Sequence, residues 1–159
     1  MGIMYSMKTK TKNIILIIVG ILLVAGLGSL FVNLGMDWFN ALDKPTQWIP
    51  NIVIPIVWTV IYALFGIVLI AWNKKGDIPK DVILWLIING ALNILWCLVF
   101  FTLNQTFLGN IVIILNLIAG IVLWLKIYKT QPVYATVLSL YPIWLSIATT
   151  LNLATWILN

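Results

Sequence analysis

IVIPIVWTVIYALFGIVLIAW, residues Ile52–Trp72, runs from end to end without a charge. A helix of ~20 apolar residues, rising ~1.5 Å per residue, crosses the ~30 Å hydrocarbon layer of a bilayer. The run does not alternate apolar and polar positions, so a barrel strand fits it poorly. Four more runs share its character: Asn13–Asn33, Val82–Phe101, Leu108–Lys126 and Val133–Leu158. In lipid a segment must satisfy its own backbone, which a helix does. The sequence therefore predicts an all-α integral membrane protein, a bundle of five transmembrane helices forming one domain over residues 1–159.

Composition agrees. Hydrophobic residues make up 63% of the chain, and the mean hydropathy of +1.12 excludes an ordinary soluble domain. The charged residues are nine Lys and four Asp, with no Arg, His or Glu. The formal charge of +5 does not indicate nucleic-acid binding, because the lysines sit in short connections rather than on one basic face. Lys8, Lys10 and Lys12 ahead of Ile14–Leu23 mimic a secretory leader. The apolar stretch continues to about Val32 and no A-x-A site follows, so a retained helix is expected. Eight lysines (Lys8, Lys10, Lys12, Lys74, Lys75, Lys80, Lys126, Lys129) fall on one side of the predicted bundle and Lys44 alone on the other. The positive-inside bias puts the amino terminus in the cytoplasm of a bacterial plasma membrane and the first connection, residues 34–50, outside. That connection is the longest and is rich in Pro, Asp and Trp. It reads as a lid or, on length alone, as a plain connector.

The chemistry open to such a chain is narrow. Without His there is no Ser/His/Asp or Cys/His catalysis and no haem or metal ligation by imidazole. No Asp or Glu lies within a run, so a buried carboxylate relay is unsupported. Cys97 falls inside a run and reads as a small core hydrophobe. Neutral amides and aromatic rings remain, and they form stripes. Trp58 and Tyr62 are at i and i+4; Asn89, Asn93 and Trp96 at i, i+4 and i+7; Tyr141, Trp144 and Ala148 at i, i+3 and i+7. Trp58 falls roughly 10 Å, Asn93 about 12 Å and Ala148 roughly 15 Å below the lid end of its helix. These depths imply a cavity open toward the first connection. Periodicity equally allows the asparagines to serve as bonds between helices, worth ~0.6 kcal/mol each on average. Trp48, Trp72, Trp85, Trp124 and Trp156 read as interfacial anchors. The pairs Asn116/Gly120 and Ala25/Ser29 read as close helix packing.

Four of these segments, in order and at fitting spacing across Trp38–Asn159, resemble the translocator protein family, also called tryptophan-rich sensory proteins. Trp38-Phe-Asn-Ala-Leu-Asp-Lys-Pro45 is similar to the family's W-Y-x-x-L-x-K-P. Pro50 and Pro55-Ile-Val-Trp-Thr-Val-Ile-Tyr62 resemble its entry to the second helix. Ala91-Leu-Asn-Ile-Leu-Trp96 resembles A-x-N-x-x-W, and Trp144 through Asn152, closing at Asn159, resembles its fifth helix. The resemblance implies a five-helix bundle, usually a homodimer, with a cavity capped by the first loop. It implies porphyrins such as protoporphyrin IX and other hydrophobic small molecules as ligands, membrane lipid as surroundings, and neither a resident cofactor nor nucleic acid as partner. The implied ligand-binding positions are Trp58, Tyr62, Asn89, Asn93, Trp96, Trp144 and Ala148, with Trp38, Lys44, Pro45 and Pro50 in the lid.

Trp38 matches the tryptophan linked in bacterial members to light-dependent porphyrin breakdown. It is the one catalytic candidate, with no metal site beside it. A binding and sensing protein, a light- and oxygen-dependent porphyrin-degrading enzyme, and a transporter of hydrophobic ligands are the functions that follow. The chain departs from the pattern at Phe39 (usually Tyr), Gln47 (Trp), Ile49 (Pro) and Leu140 (Pro, here displaced to Pro142). Leu153 and Ile157 stand where animal members carry the Tyr and basic residue of a proposed cholesterol motif, so that route to sterol binding is not expected.

Overall fold

The computed structural model describes residues 2–45 and 49–159, with side chains from residue 9 onward. Gln47, Trp48 and the Lys8 side chain, on which parts of the sequence reading fall, lie outside the described set. The described residues form seven α-helices: α1 (Gly2–Leu34), α2 (Met36–Ala41), α3 (Val53–Lys75), α4 (Lys80–Cys97), α5 (Thr106–Thr130), α6 (Pro132–Val137) and α7 (Leu140–Leu158). Five spans are long and apolar enough to cross a membrane: Thr9–Leu34, Val53–Lys75, Lys80–Thr102, Thr106–Thr130 and Pro132–Leu158. They match the five expected runs, and the chain is a multi-pass membrane protein.

Three details differ from expectation, each for a physical reason. The first connection is not all loop, because Met36–Ala41 closes a short helix within it. The third span ends in a π-turn, Leu98–Thr102, where Leu103 N–H bonds Leu98 O at 2.9 Å. The chain then reverses through Asn104 at φ 57°, a left-handed conformation that Asn tolerates better than most residues. The fifth span breaks between α6 and α7. Pro142 has no N–H for the Leu138 carbonyl four residues back, and its ring would crowd that group. Leu138 O instead accepts from Tyr141 N–H at 3.0 Å, and the helix restarts at Leu140.

Around the bundle, α1 lies against α3 and α4, α4 against α5, α5 against α7, and α3 closes the ring against α6 and α7. Bulky apolar side chains such as Ile15, Leu22, Ile67, Ile118 and Ile143 face outward, as contact with lipid tails allows. Close approach is set by small residues. A Cβ on Gly120 of α5 would lie 2.8 Å from Leu145 Cδ1 and 3.3 Å from Tyr141 Cε1, both on fully packed side chains of α7. Asn116 is fully buried beside it, as its spacing suggested. On α1 the buried small residue is Gly28, where a Cβ would meet Cys97 Sγ at an ordinary 3.5 Å; Ser29, expected there, is exposed. Trp72 is not an interfacial anchor: it is buried and packs on Tyr134, with ring centroids 5.8 Å apart. Trp124 is half-buried and turned inward, donating to Ala135 O at 2.8 Å across the α6 break.

Gly120→Ala should lower thermal stability in detergent by about 1–3 kcal/mol, the range for overpacking a filled core. Gly20→Ala, where an added Cβ meets nothing within 4 Å, should leave it unchanged or slightly raised. A thermal-shift comparison of the two variants checks this.

Candidate functional site

The inward stripes of α3, α4 and α7 meet under α2. Trp58 from α3 stacks on Tyr62 (centroids 5.8 Å apart) and lies near the Trp96 ring of α4 (6.3 Å) and Tyr141 of α7 (6.3 Å). The α4 stripe continues past Trp96 to Phe100, whose ring stacks on Trp96 at 6.3 Å. Trp58, Trp96 and Phe100, with Phe39, Ile54, Trp144, Ala148 and Asn152, line a pocket of only about 40 Å³.

Polar groups fix the walls. Trp96 Nε1 donates to Asn152 Oδ1 at 3.1 Å, and Asn152 Nδ2 donates to Asn110 Oδ1 at 2.8 Å. Nearer the lysine end, Tyr141 OH donates to Asn89 Oδ1, and Asn89 Nδ2 donates to Asn116 Oδ1 at 2.8 Å. Both sets tie α4, α5 and α7 together. One pocket group stays unsatisfied: Trp144 Nε1 is buried with no hydrogen-bond partner. An indole N–H seldom stays unpaired when buried, so an acceptor brought into this pocket would find a donor waiting.

The lid closes over these walls through Phe39. Its ring is buried 6.2 Å from Phe100 and 5.2 Å from Phe101, and Lys44 Nζ lies over it, 4.6 Å from the ring centre. Where the family pattern has a phenol, this chain therefore lines its pocket with a bare ring. Gly35 seats α2, since a Cβ there would collide with the Phe101 carbonyl. At the far end of the lid, Asp43 N–H donates to Asn159 Oδ1 and Asn159 Nδ2 returns a bond to Asp43 O, each at 3.0 Å. Among the described residues, Lys44 is the one cation at this end of the bundle.

The positions expected from the sequence divide between two hollows. Trp58, Trp96, Trp144 and Ala148 line the small pocket. Tyr62, Asn89 and Asn93 line a second hollow of about 570 Å³ between α1, α3 and α4, nearer the lysine end. Trp38 lines neither; half-buried, it meets Phe100 edge-on at 5.6 Å, one ring removed from the small pocket. Of the lid prolines, Pro45 is half-buried, while exposed Pro50 lends its carbonyl to Val53 N–H at the start of α3. Leu153 and Ile157, at the sterol-motif positions, face outward. The sequence reading missed Phe100 as a wall, although Asn89, Asn93, Trp96 and Phe100 continue one helical stripe. It also missed Asn152, which is seen as a pocket residue only once its bond to Trp96 is known.

The sequence pattern of the TspO/MBR family matches residues 14–157 of the chain. The chain is 32% identical over 152 residues to the tryptophan-rich protein TspO of Archaeoglobus fulgidus, an alignment covering 92% of this chain and 99% of that protein. It is 32% identical over 139 residues to the human translocator protein, covering 81% of this chain and 79% of that one. Protein CrtK of Rhodobacter capsulatus is 29% identical over 132 residues, 77% of this chain and 78% of that protein.

Asn159→Ala should loosen the lid without disturbing its walls. Two hydrogen bonds of ~1 kcal/mol net each are lost, so amide exchange at Asp43 and along α2 should quicken by roughly thirtyfold while exchange in α4 stays the same. Hydrogen-exchange mass spectrometry of the two proteins makes the comparison.

Proposed function

The chain belongs to the TspO/MBR family, and from that premise we propose that it is a membrane receptor binding flat aromatic ligands of the tetrapyrrole class beneath α2. The observation that carries this reading is the partnerless indole N–H of Trp144 in a pocket otherwise walled by rings. An aromatic macrocycle stacks on Trp58 or Trp96, and an acceptor at its edge takes the Trp144 proton.

The pocket as closed is far too small for such a guest, so binding begins with Phe39 leaving. Its departure also uncovers Lys44, now spent on the Phe39 face at ~0.5–1 kcal/mol. The freed ammonium then meets a ligand carboxylate at the rim, where both charges stay hydrated and neither is drawn into the apolar interior. Lid opening and ligand capture are thereby one event, which suits a sensor. On this reading the lysine-rich end is cytoplasmic, as the positive-inside bias requires, the lid faces outward, and the protein acts as a homodimer.

Protoporphyrin IX added to the purified protein should quench tryptophan fluorescence saturably. Trp144→Phe keeps the ring and removes only the donor, so the dissociation constant should rise by about 3–10-fold, the worth of one hydrogen bond. Lys44→Gln should weaken binding of the free porphyrin acid more than of its dimethyl ester. Identical titration curves for wild type and Trp144→Phe would remove the pocket from the account.

A further inference from the structure

The larger hollow has a form and a charge pattern of its own. α1 and α4 run parallel from the lysine end and touch at its top, where Val24 Cγ2 is 3.1 Å from a Cβ on Gly90 and Cys97 Sγ is 3.5 Å from one on Gly28. On the α1–α3 side the bottom is clasped: Asn13 Nδ2 donates to Asn73 Oδ1 and Asn73 Nδ2 to Lys10 O, each at 3.1 Å. Ile61, Phe65 and Tyr141 form a buried back wall. The seam between α1 and α4 is left open. Leu16 and Leu23 on one edge and Ile83 and Ile87 on the other line the hollow and are 42–64% exposed, so its mouth faces the surrounding hydrocarbon.

Both edges begin at a lysine. Lys12 shares the exposed flank of α1 with Leu16 and Leu23, at i+4 and i+11. Lys80 shares that of α4 with Ile83, Ile87 and Ala91, at i+3, i+7 and i+11. Both side chains are exposed. Asp81, the nearest carboxylate in sequence, is held by Lys126 at 2.9 Å. From Lys12 to Val24 is ~18 Å and from Lys80 to Gly90 ~15 Å along the helix, against ~15 Å for one leaflet of a ~30 Å hydrocarbon layer. A mostly apolar hollow of this length does not hold water readily.

We propose that this wedge is a lipid site that takes one acyl chain of an anionic phospholipid from the lysine-end leaflet, with its phosphate between Lys12 and Lys80. The chain lies along Gly20 and Ile87 and ends near Tyr62 and Asn93. Tyr62 of this site stacks on Trp58, a wall of the pocket beneath the lid. A lipid here therefore touches the far side of the aromatic wall.

The test uses the full chain in nanodiscs containing phosphatidylglycerol or phosphatidylcholine, each with a photoactivatable diazirine in the acyl chain, and maps the adducts. The phosphatidylglycerol adducts should concentrate on residues 16–24 and 83–94. Each of Lys12→Gln and Lys80→Gln should lower them by about fivefold and leave the phosphatidylcholine adducts unchanged. Gly20→Trp, placed in open space, should abolish the cluster. The lysine variants leave the packed interior alone, so that arm stands even if Gly20→Trp does not fold. Equal labelling by the two lipids, adducts spread evenly over the outward faces of α5 and α7, or lysine variants that label like wild type would overturn the proposal. None of these outcomes bears on porphyrin binding beneath α2, which is titrated in parallel.

Discussion

Five greasy rods in lipid have little reason to prefer one arrangement, because a leucine contacts a lipid tail about as well as it contacts another leucine. What singles out this arrangement is a pair of amide networks, Tyr141–Asn89–Asn116 and Trp96–Asn152–Asn110, each joining α4, α5 and α7. Each bond is individually modest, ~0.6 kcal/mol on average in a membrane interior. The alternative, a buried amide left bare, costs ~1–3 kcal/mol. Rotating any of the three helices would bare the bonded groups as well, in addition to Asn110 Nδ2 and Asn116 Nδ2, which have no partner in this arrangement. Gly120 is needed for the same reason, since it lets α5 and α7 approach closely enough for the bonds to form.

Once α4, α5 and α7 are locked, the two hollows follow. α1 and α3 carry no equivalent amides in their middle turns and are tied to each other at the lysine end by Asn13 and Asn73. Space therefore opens on their side of the bundle, a wedge below and a ring-lined pocket above. The pocket is kept small by Phe39 and capped by reciprocal bonds between Asp43 and Asn159, neither of which is strong. On the proposed function, firm walls under a weakly latched cover suit a pocket whose affinity comes mainly from contact area and one or two placed polar groups.

Much of this was legible in the chain. Uncharged runs gave the spans to within a few residues, whereas the single cavity expected for Trp58, Tyr62, Asn89, Asn93, Trp96, Trp144 and Ala148 is divided, with Tyr62, Asn89 and Asn93 on the lower hollow. Three things were not legible. Asn89 and Asn93 fit a pocket and a helix contact equally by spacing, and only three-dimensional neighbours show Asn89 bonded to α5 and α7 and both residues facing the lower hollow. The burial of Trp72 depends on where α6 turns, which follows from Pro142 acting four residues upstream. The rotation of α2 decides that Phe39 rather than Trp38 enters the pocket, and that rotation rests on Gly35 against the Phe101 carbonyl, a contact no local pattern announces.

On the proposed function, the aromatic pocket under α2 receives a guest by exchanging it for Phe39. A structure of the protein with protoporphyrin IX tests it most directly. The macrocycle should lie against Trp58 and Trp96, with Trp144 Nε1 within ~3 Å of a ligand acceptor and the Phe39 ring swung out. Porphyrin lodged in the α1–α4 wedge or on the outer face of the bundle, with Phe39 still seated on Phe100 and Phe101, would contradict it.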